Sequence, residues 1–237
     1  MADSVTDRLG ESVAVPITLA IDGPSGSGKS SVSRAAAIRL GLQYLDTGAQ
    51  YRAMTWWMLQ HGVDVADRAA VAAACDKPSI ESGTDPLDPA IAVDGRSVAG
   101  AVRTPEVTAA VSAVAGVQAV RDQLIALQRL IIRQAREQHG GIVVEGRDIA
   151  DVVCPAAECK IYLTASVEAR AARRNMELVG GPGAAQTGLD LARRDAEDAK
   201  TTRPLDAAPG AIVVDATDMT LDQVVDRVAE LAAAARG

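Results

Sequence analysis

The chain has no Phe and few aromatic residues of any kind, with two Trp and three Tyr among its 237 residues. Its core must therefore be built from Val, Leu, Ile and Ala. The sequence is 48% hydrophobic and 23% charged, which is ordinary for a globular protein and excludes disorder over most of the chain. Its length suits one domain that carries a smaller insert.

Cysteine is also scarce. The three cysteines, Cys75, Cys154 and Cys159, form an odd and scattered set, and the C-x4-C spacing of the last two has no second ligand pair nearby. This pattern argues against a disulfide framework and against a zinc site. It indicates reduced thiols in a cytoplasmic protein.

Long apolar runs are absent. No run approaches the eighteen or more apolar residues of a membrane span, so we expect no membrane partner. Residues 1–15 are acidic and lack the apolar segment of a secretory signal. We therefore expect a disordered N-terminal tail at 1–15 and a cytoplasmic location.

An excess of positive charge is missing as well. The formal net charge is −7, from 24 Lys and Arg against 31 Asp and Glu. Non-specific affinity for nucleic acid comes from Lys and Arg that neutralise phosphates, so we expect no nucleic-acid partner. Any recognition of phosphate must be local.

What the chain does have is an alternation of short apolar runs and helical patterns. Five runs, ITLAI, LQYL, GIVVE, CKIYL and AIVVD, are typical of strands buried on both faces. The alternation predicts an α/β fold with a five-stranded parallel sheet flanked by helices. Helices are predicted at 29–40, 48–61, 104–116, 121–138, 166–179, 189–200 and 220–235.

Two segments interrupt this alternation. Residues 77–100 are rich in Pro and contain short alternating stretches such as AIAVDGRSV, which predicts a small insert with a hairpin. Residues 180–188, GGPGAAQTG, are too rich in Gly to continue a helix. We expect them to form the tip of a mobile lid that closes over polyphosphate. Basic residues flank it: Arg170, Arg173, Arg174, Arg193 and Arg194.

Residues 23–30, GPSGSGKS, match the P-loop pattern G-x-x-x-x-G-K-[ST] between a predicted strand and a predicted helix. In this motif backbone N–H groups and the helix N-terminus face phosphate. Lys29 would reach the β and γ phosphates, and the Ser30 hydroxyl would join the Mg²⁺ shell. The nucleotide-binding residues predicted on this basis are Gly23, Pro24, Ser25, Gly26, Ser27, Gly28, Lys29, Ser30 and Ser31.

A nucleoside triphosphate site can drive a switch, a motor or a transfer. The guanine-binding pattern N-K-x-D of a GTP switch does not occur. For a motor ATPase, the acid that follows a strand would be Asp22, Glu145 or Asp148. A small-molecule kinase instead needs an Arg-lined acceptor site in line with the γ phosphate.

Two motifs offer such an acceptor site. LDTGAQYR, at 45–52, places Asp46, Thr47 and Arg52 where a strand turns into a helix, as in an anion clamp, although a Thr there also serves as a simple cap. EGRD, at 145–148, places Arg147 just after a buried strand, where ligands collect in α/β sheets. A surface ion pair is the alternative for Arg147.

With these motifs the chain resembles the bacterial cytidylate kinases from about residue 17 to 230. The segments IDGPSGSGKSS, YLDTGAQYR, VRTPEV, VSAVAGVQAVRDQLIALQR, VVEGRDI and RRDAED follow the order of that family. The resemblance implies a P-loop kinase domain at 16–237, in which the 77–100 insert enlarges the monophosphate-binding region. It also implies transfer of the ATP γ-phosphoryl group to CMP or dCMP, with Mg²⁺, in pyrimidine nucleotide metabolism.

The resemblance also implies residue roles. It assigns catalysis to Lys29 and Arg147, and an acid such as Asp148 suits the exocyclic amine of cytosine. The CMP phosphate would be held by Thr47, Arg52 and Arg147, with Asp46 beside them, the cytosine edge by Ser112, Arg121 and Asp148, and the ribose by Arg194 and Asp198. Taken alone, Ser112 is more typical of helix packing and Arg121 of a solvated helix face.

The chain departs from the family near its lid. RRDAEDAKTTRPL places Thr201 where the family has an Arg, and either Lys200 or Arg203 would have to replace that charge. The nearest rival enzyme is shikimate kinase, for which the D-x-D after the second strand is missing, and a regulatory or scaffold protein would need no acceptor pocket. We expect a monomer.

Overall fold

The computed structural model describes residues 15–177, 184–200, 202 and 206–236, without the side chains of residues 177, 184–186 and 194. Residues 1–14 of the predicted tail and residues 180–183 of the predicted lid tip lie outside this part of the chain. Within it, the strands form a five-stranded sheet and a three-stranded sheet.

The five-stranded sheet is parallel, as predicted, and has the order β2-β6-β1-β7-β8. Its strands are β1 (Ile17–Asp22), β2 (Gln43–Asp46), β6 (Gly141–Gly146), β7 (Cys159–Thr164) and β8 (Ile212–Asp215). All six residues of the central strand β1 are buried, which explains its unbroken apolar run. Because the strands are parallel, their carboxyl ends meet at one edge of the sheet.

The helices confirm the predicted alternation. They are α1 (Lys29–Leu40), α2 (Thr47–Gln60), α3 (Arg68–Ala74), α4 (Pro105–Ala115), α5 (Gln118–His139), α6 (Val167–Glu177), α7 (Ala184–Asp198) and α8 (Leu221–Arg236). A 3-10 turn at Ala101–Arg103 and a π-type turn at Ile149–Val153 complete the set. Helix α3 was not predicted from the sequence. Helix α7 begins earlier than predicted, so residues 184–188 are helical rather than part of a loop.

The predicted insert is the three-stranded antiparallel sheet of β3 (Ile80–Ser82), β4 (Ile91–Val93) and β5 (Arg96–Ser97). Asp94 and Gly95 connect β4 to β5 with φ angles of 51° and 74°, as a tight hairpin turn requires. Asp94 also accepts a hydrogen bond from Trp57 Nε1 at 3.0 Å. The insert therefore packs on α2, the helix that begins within the motif LDTGAQYR.

No single helix in the described ranges is long and apolar enough to cross a membrane, and only α4 and α5 taken together, across a bend of 98°, meet the length and composition required.

Candidate phosphoryl-transfer site

A cleft of about 580 Å³ opens at the carboxyl edge of the large sheet. It brings together most of the predicted site residues: Ser25, Gly26, Gly28, Lys29, Ser30, Ser31, Asp46, Thr47, Arg52, Ser112, Arg121, Arg147, Asp148 and Asp198. Gly23, Pro24 and Ser27 lie behind its surface rather than on it. The P-loop forms one wall, and the start of α2 with α4 and α5 forms the other.

The P-loop follows β1 through a backbone that only Gly accommodates. Gly23 has φ +152°, and a Cβ there would lie 2.0 Å from the carbonyl oxygen of Leu163. Gly28, with φ +93°, caps the N-terminus of α1. The loop thus passes tightly over the strand edge and directs α1 at the cleft, which is the arrangement that binds phosphate at a helix N-terminus.

Lys29 lies half-buried at the base of the cleft. Its Nζ donates hydrogen bonds to the carbonyl oxygens of Gly23 and Pro24, both at 2.8 Å. Burial and the nearby Arg147 cation lower the pKa of Lys29 to about 7, while the Glu145 carboxylate opposes that shift. An anion bound beside Lys29 would favour its charged form.

Glu145 ends β6 and faces the P-loop across the sheet edge. Its Oε2 accepts a hydrogen bond from Ser30 Oγ at 3.0 Å, and its Oε1 accepts one from the Tyr44 hydroxyl. Burial and the Asp46 carboxylate raise the pKa of Glu145. From the sequence, Glu145 is a candidate only for the acid of a motor ATPase. The one feature of the sequence that points to Glu145 as a site residue is its position near the end of a buried strand.

The oxygen atoms of Ser30 and Glu145 suit Mg²⁺, a hard cation that is bound in kinases by one or two protein oxygens, phosphate oxygens and water. No group of three or more His, Cys, Asp or Glu side chains arranged to hold a metal occurs in the described part of the chain. A metal held chiefly by nucleotide phosphates therefore fits these residues better than a site made of protein ligands alone.

The acceptor motif is held at the junction of β2 and α2. Asp46 is the N-cap of α2 and accepts a hydrogen bond from the Ala49 N–H at 2.9 Å. The Thr47 hydroxyl donates to the Glu145 carbonyl oxygen at 2.7 Å, so Asp46 rather than Thr47 caps the helix. Arg52 donates to the Val102 carbonyl oxygen at 3.1 Å, which joins α2 to the 3-10 turn that follows the insert.

Arg121 and Asp148 form an ion pair across the cleft wall. Their side chains are only 8% and 12% exposed, so Arg121 is not the solvated helix residue that its sequence position alone suggests. Asp148 follows β6, and Arg121 lies on α5. The pair compensates the charge of the Asp148 carboxylate and fixes its orientation.

Arg147 lies between the two walls. Its Nη1 donates to the Gly23 carbonyl oxygen at 2.7 Å, and its Nε lies 3.1 Å from Asp198 Oδ2. Asp198 Oδ1 also accepts a hydrogen bond from Ser112 Oγ at 2.9 Å. The ion pair of Arg147 is therefore inside the cleft, not on the outer surface, and it links the P-loop to α7 and α4.

These features match one family over nearly the whole chain. The family model described as cytidylate kinase covers residues 19–234. The chain belongs to the cytidylate kinase family.

Relatives named cytidylate kinase support this membership. The protein of Streptomyces griseus is 54% identical over 93% of this chain and 94% of its own length. That of Nocardia farcinica is 49% identical over 92% of this chain and 94% of its own.

A crystal structure titled TT1252 from Thermus thermophilus is similar with 20% identity and a TM-score of 0.47, over 93% of this chain and 97% of that one.

The departure from the cytidylate kinase pattern lies at the end of α7. Lys200 Nζ lies 2.7 Å from Glu197 Oε2, and both side chains are at least half exposed. Thr201 and Arg203 lie outside the described residues, as does the Arg194 side chain. Lys200 and Arg203 therefore both remain candidates for the cation that replaces the family Arg.

Proposed function

We propose that this member of the cytidylate kinase family transfers the γ-phosphoryl group of ATP to CMP or dCMP. A phosphate oxygen of the acceptor attacks the γ phosphorus, the bond from that phosphorus to the bridging oxygen breaks, and the products are ADP and CDP or dCDP. The observation that carries the proposal is the position of Arg147, which contacts the P-loop at Gly23 and pairs with Asp198 of α7, the residue that accepts a hydrogen bond from Ser112 of the opposite wall.

The P-loop would hold the donor. Backbone N–H groups of the loop and the N-terminus of α1 bind the triphosphate, and Lys29 moves from the carbonyl oxygens of Gly23 and Pro24 to the β and γ phosphates. Ser30 and Glu145 would hold Mg²⁺. When bound, the cation neutralises charge on the β and γ phosphates.

The opposite wall would hold the acceptor. Thr47, Arg52 and Arg147 would bind the phosphate of CMP, with Asp46 fixing the start of α2. Asp148 would accept a hydrogen bond from the 4-amino group of cytosine, which the carbonyl oxygen of uracil cannot donate. Ser112 and Arg121 would complete the contacts to the base, and Arg194 and Asp198 would bind the ribose.

This chemistry needs no protein nucleophile and no strong general base, since the attacking phosphate oxygen is already anionic. The protein must instead offset the repulsion between two phosphate groups and align them, which is the role of Lys29 and Arg147. Exclusion of water would fall to the lid predicted at 180–188, of which residues 184–188 form the start of α7.

We further propose that the protein acts as a monomer in the cytoplasm, in pyrimidine nucleotide metabolism, without a nucleic-acid or membrane partner. The negative net charge and the absence of a long apolar run support the part that concerns nucleic-acid and membrane partners. The role of the insert in binding the monophosphate belongs to the same proposal.

A coupled assay of ADP release with CMP, dCMP, UMP, AMP, GMP and shikimate as acceptors tests the function. We expect fast turnover with CMP and dCMP and weak turnover with the others. ADP release that does not depend on the acceptor, or that is fastest with shikimate, would contradict the proposal.

A further inference from the structure

Two charged side chains are buried behind the P-loop. One of them, Arg170, is among the basic residues predicted to flank the lid, but it does not line the cleft. Arg170 on α6 and Asp195 on α7 have side chains only 6% and 4% exposed, and Arg170 Nη1 lies 2.6 Å from Asp195 Oδ2. Burial of an ion pair is costly unless its remaining hydrogen-bonding atoms also find partners. Among the described residues Arg170 Nε has none, whereas Arg170 Nη1 and Asp195 Oδ1 do. The partners of this pair therefore indicate its role.

Those partners are the backbone groups of one P-loop residue. Asp195 Oδ1 accepts a hydrogen bond from the Ser25 N–H at 2.9 Å, and Arg170 Nη1 donates to the Ser25 carbonyl oxygen at 2.9 Å. The pair thus grips both polar backbone groups of Ser25. Because these bonds are charge-assisted and buried, they are among the stronger contacts available to a loop.

The next residue of the loop shows how close this contact is. A Cβ added at Gly26, where φ is +76°, would lie 3.1 Å from the Arg170 carbonyl oxygen and 3.2 Å from Leu191 Cδ1. Residues 25 and 26 are therefore packed directly against α6 and α7. Any shift of these helices would move the start of the phosphate cradle.

Helix α7 also contacts the wall of the cleft opposite the P-loop. Asp198 lies three residues after Asp195, which places both on neighbouring positions of one face of α7. Asp198 accepts a hydrogen bond from Ser112 at 2.9 Å and pairs with Arg147 at 3.1 Å. One turn of α7 therefore contacts the P-loop through Asp195 and helix α4, in the opposite wall of the cleft, through Asp198.

We propose that Arg170 and Asp195 are a positioning pair that fixes Ser25, so that the rest of the P-loop faces the donor phosphates, and that α7 thereby couples the two substrate sites. Neither residue touches a reacting atom. This inference rests on the proposed function, because the coupling it describes is between ATP and CMP.

The test compares binding of a non-hydrolysable ATP analogue by titration calorimetry, with and without CMP, in Asp195→Asn and in the wild type. We expect roughly tenfold weaker binding of the analogue in the variant, because one charge-assisted contact is lost and the Arg170 cation is left without its partner. The effect of CMP on that binding should also shrink, while the affinity for CMP alone changes less than about twofold.

The matched control is Asp226→Asn, which removes an ion pair with Arg39 between α8 and α1, outside the cleft. It should leave both affinities and their coupling unchanged. A positioning role also predicts that KM for ATP rises more than kcat falls in Asp195→Asn.

A double variant, Arg170→Met with Asp195→Leu, guards against simple misfolding, since an apolar pair of similar volume often replaces a buried ion pair without loss of stability. We expect a Tm near that of the wild type and weak binding of the ATP analogue. Wild-type binding and coupling in this variant would overturn the positioning role. A wild type that shows no CMP-dependent ADP release would instead overturn the proposed function.

Discussion

Lys29 illustrates what single residues contribute to this site. In the structure its ammonium group is satisfied by two carbonyl oxygens and lies close to Arg147, Glu145 and Asp22. Because the Lys29 side chain is already ordered in this position, it loses little conformational entropy when it binds phosphate instead. Its value to the reaction lies in the negative charge of the phosphates that it offsets during transfer.

The first prediction concerns that charge. Replacing Lys29 with Ala should lower kcat with CMP by about 10²- to 10³-fold, because the lost charge stabilises the transition state. Circular dichroism and Tm should stay close to the wild type. Lys77→Ala, which changes an exposed Lys, serves as the control. Unchanged turnover in Lys29→Ala would remove its proposed role.

The second prediction follows from the lowered pKa of Lys29. At pH 8, above its pKa of about 7 in the free site, this amine is largely neutral, and a bound polyphosphate raises the pKa again. Binding of ADP without Mg²⁺ should therefore take up roughly one proton at pH 8 and little at pH 6, and affinity should fall as the pH rises above 7.

Titration calorimetry in buffers of different ionisation enthalpy measures this uptake. The uptake should disappear in Lys29→Ala. Equal heats in all buffers at pH 8 would show that Lys29 is not the group that changes protonation.

The third prediction concerns the choice of base. Asp148→Asn should reduce the preference for CMP over UMP, measured as the ratio of kcat/KM values, by roughly tenfold or more, because the amide can donate to the carbonyl oxygen of uracil. Asp151→Asn, an exposed change in the turn that follows, is the matched control. A ratio equal to the wild type would reject this role of Asp148.

The residues of local motifs were predictable, and those of long-range contacts were not. Lys29 and Ser30 follow from the P-loop pattern, in which eight consecutive residues determine the backbone shape. Asp195 contacts Ser25 across 170 positions, and nothing in the segment RRDAED indicates that contact. The pairing of Glu145 with Ser30, 115 positions apart, was hidden for the same reason.

At the scale of elements, apolar runs predicted all five strands of the large sheet because each is buried on both faces. Helix α3 was missed because it has only seven residues, mostly Ala, and depends on Asp67 as its N-cap. The start of α7 was misjudged because the Gly content of 180–188 was taken to exclude a helix, whereas Ala184 and Ala185 are strong helix formers and Gly188 packs against Ala171 of α6.

The connection between β1 and α1 gives the fourth prediction. Gly23→Ala places a Cβ against the Leu163 carbonyl oxygen in a backbone conformation that suits Gly, so the free energy of unfolding should fall by about 1–3 kcal/mol. ATP affinity should fall as well, since the loop must shift. Denaturant titration with Gly100→Ala as the control, where a Cβ meets open space, measures the effect. Stability equal to the wild type would show that the loop tolerates this change.

At the scale of the whole molecule, the parallel sheet brings residues from distant segments into one cleft, because the carboxyl ends of its strands lie at the same edge. The P-loop comes from residues 23–30, the acceptor motif from 45–52 and Arg147 from the segment that follows β6, the strand between β1 and β2. Helices α6 and α7 line one side of this cleft through Arg174, Glu197 and Asp198. The central claim is that two phosphate sites share it, so that phosphorus passes directly between bound nucleotides.

Transfer of the label from γ-³²P ATP tests that claim most directly. With CMP present, the label should appear in the β phosphate of CDP, with little released as inorganic phosphate and none bound to the protein. Label recovered mainly as inorganic phosphate, or held on the protein, would contradict direct transfer in a shared cleft.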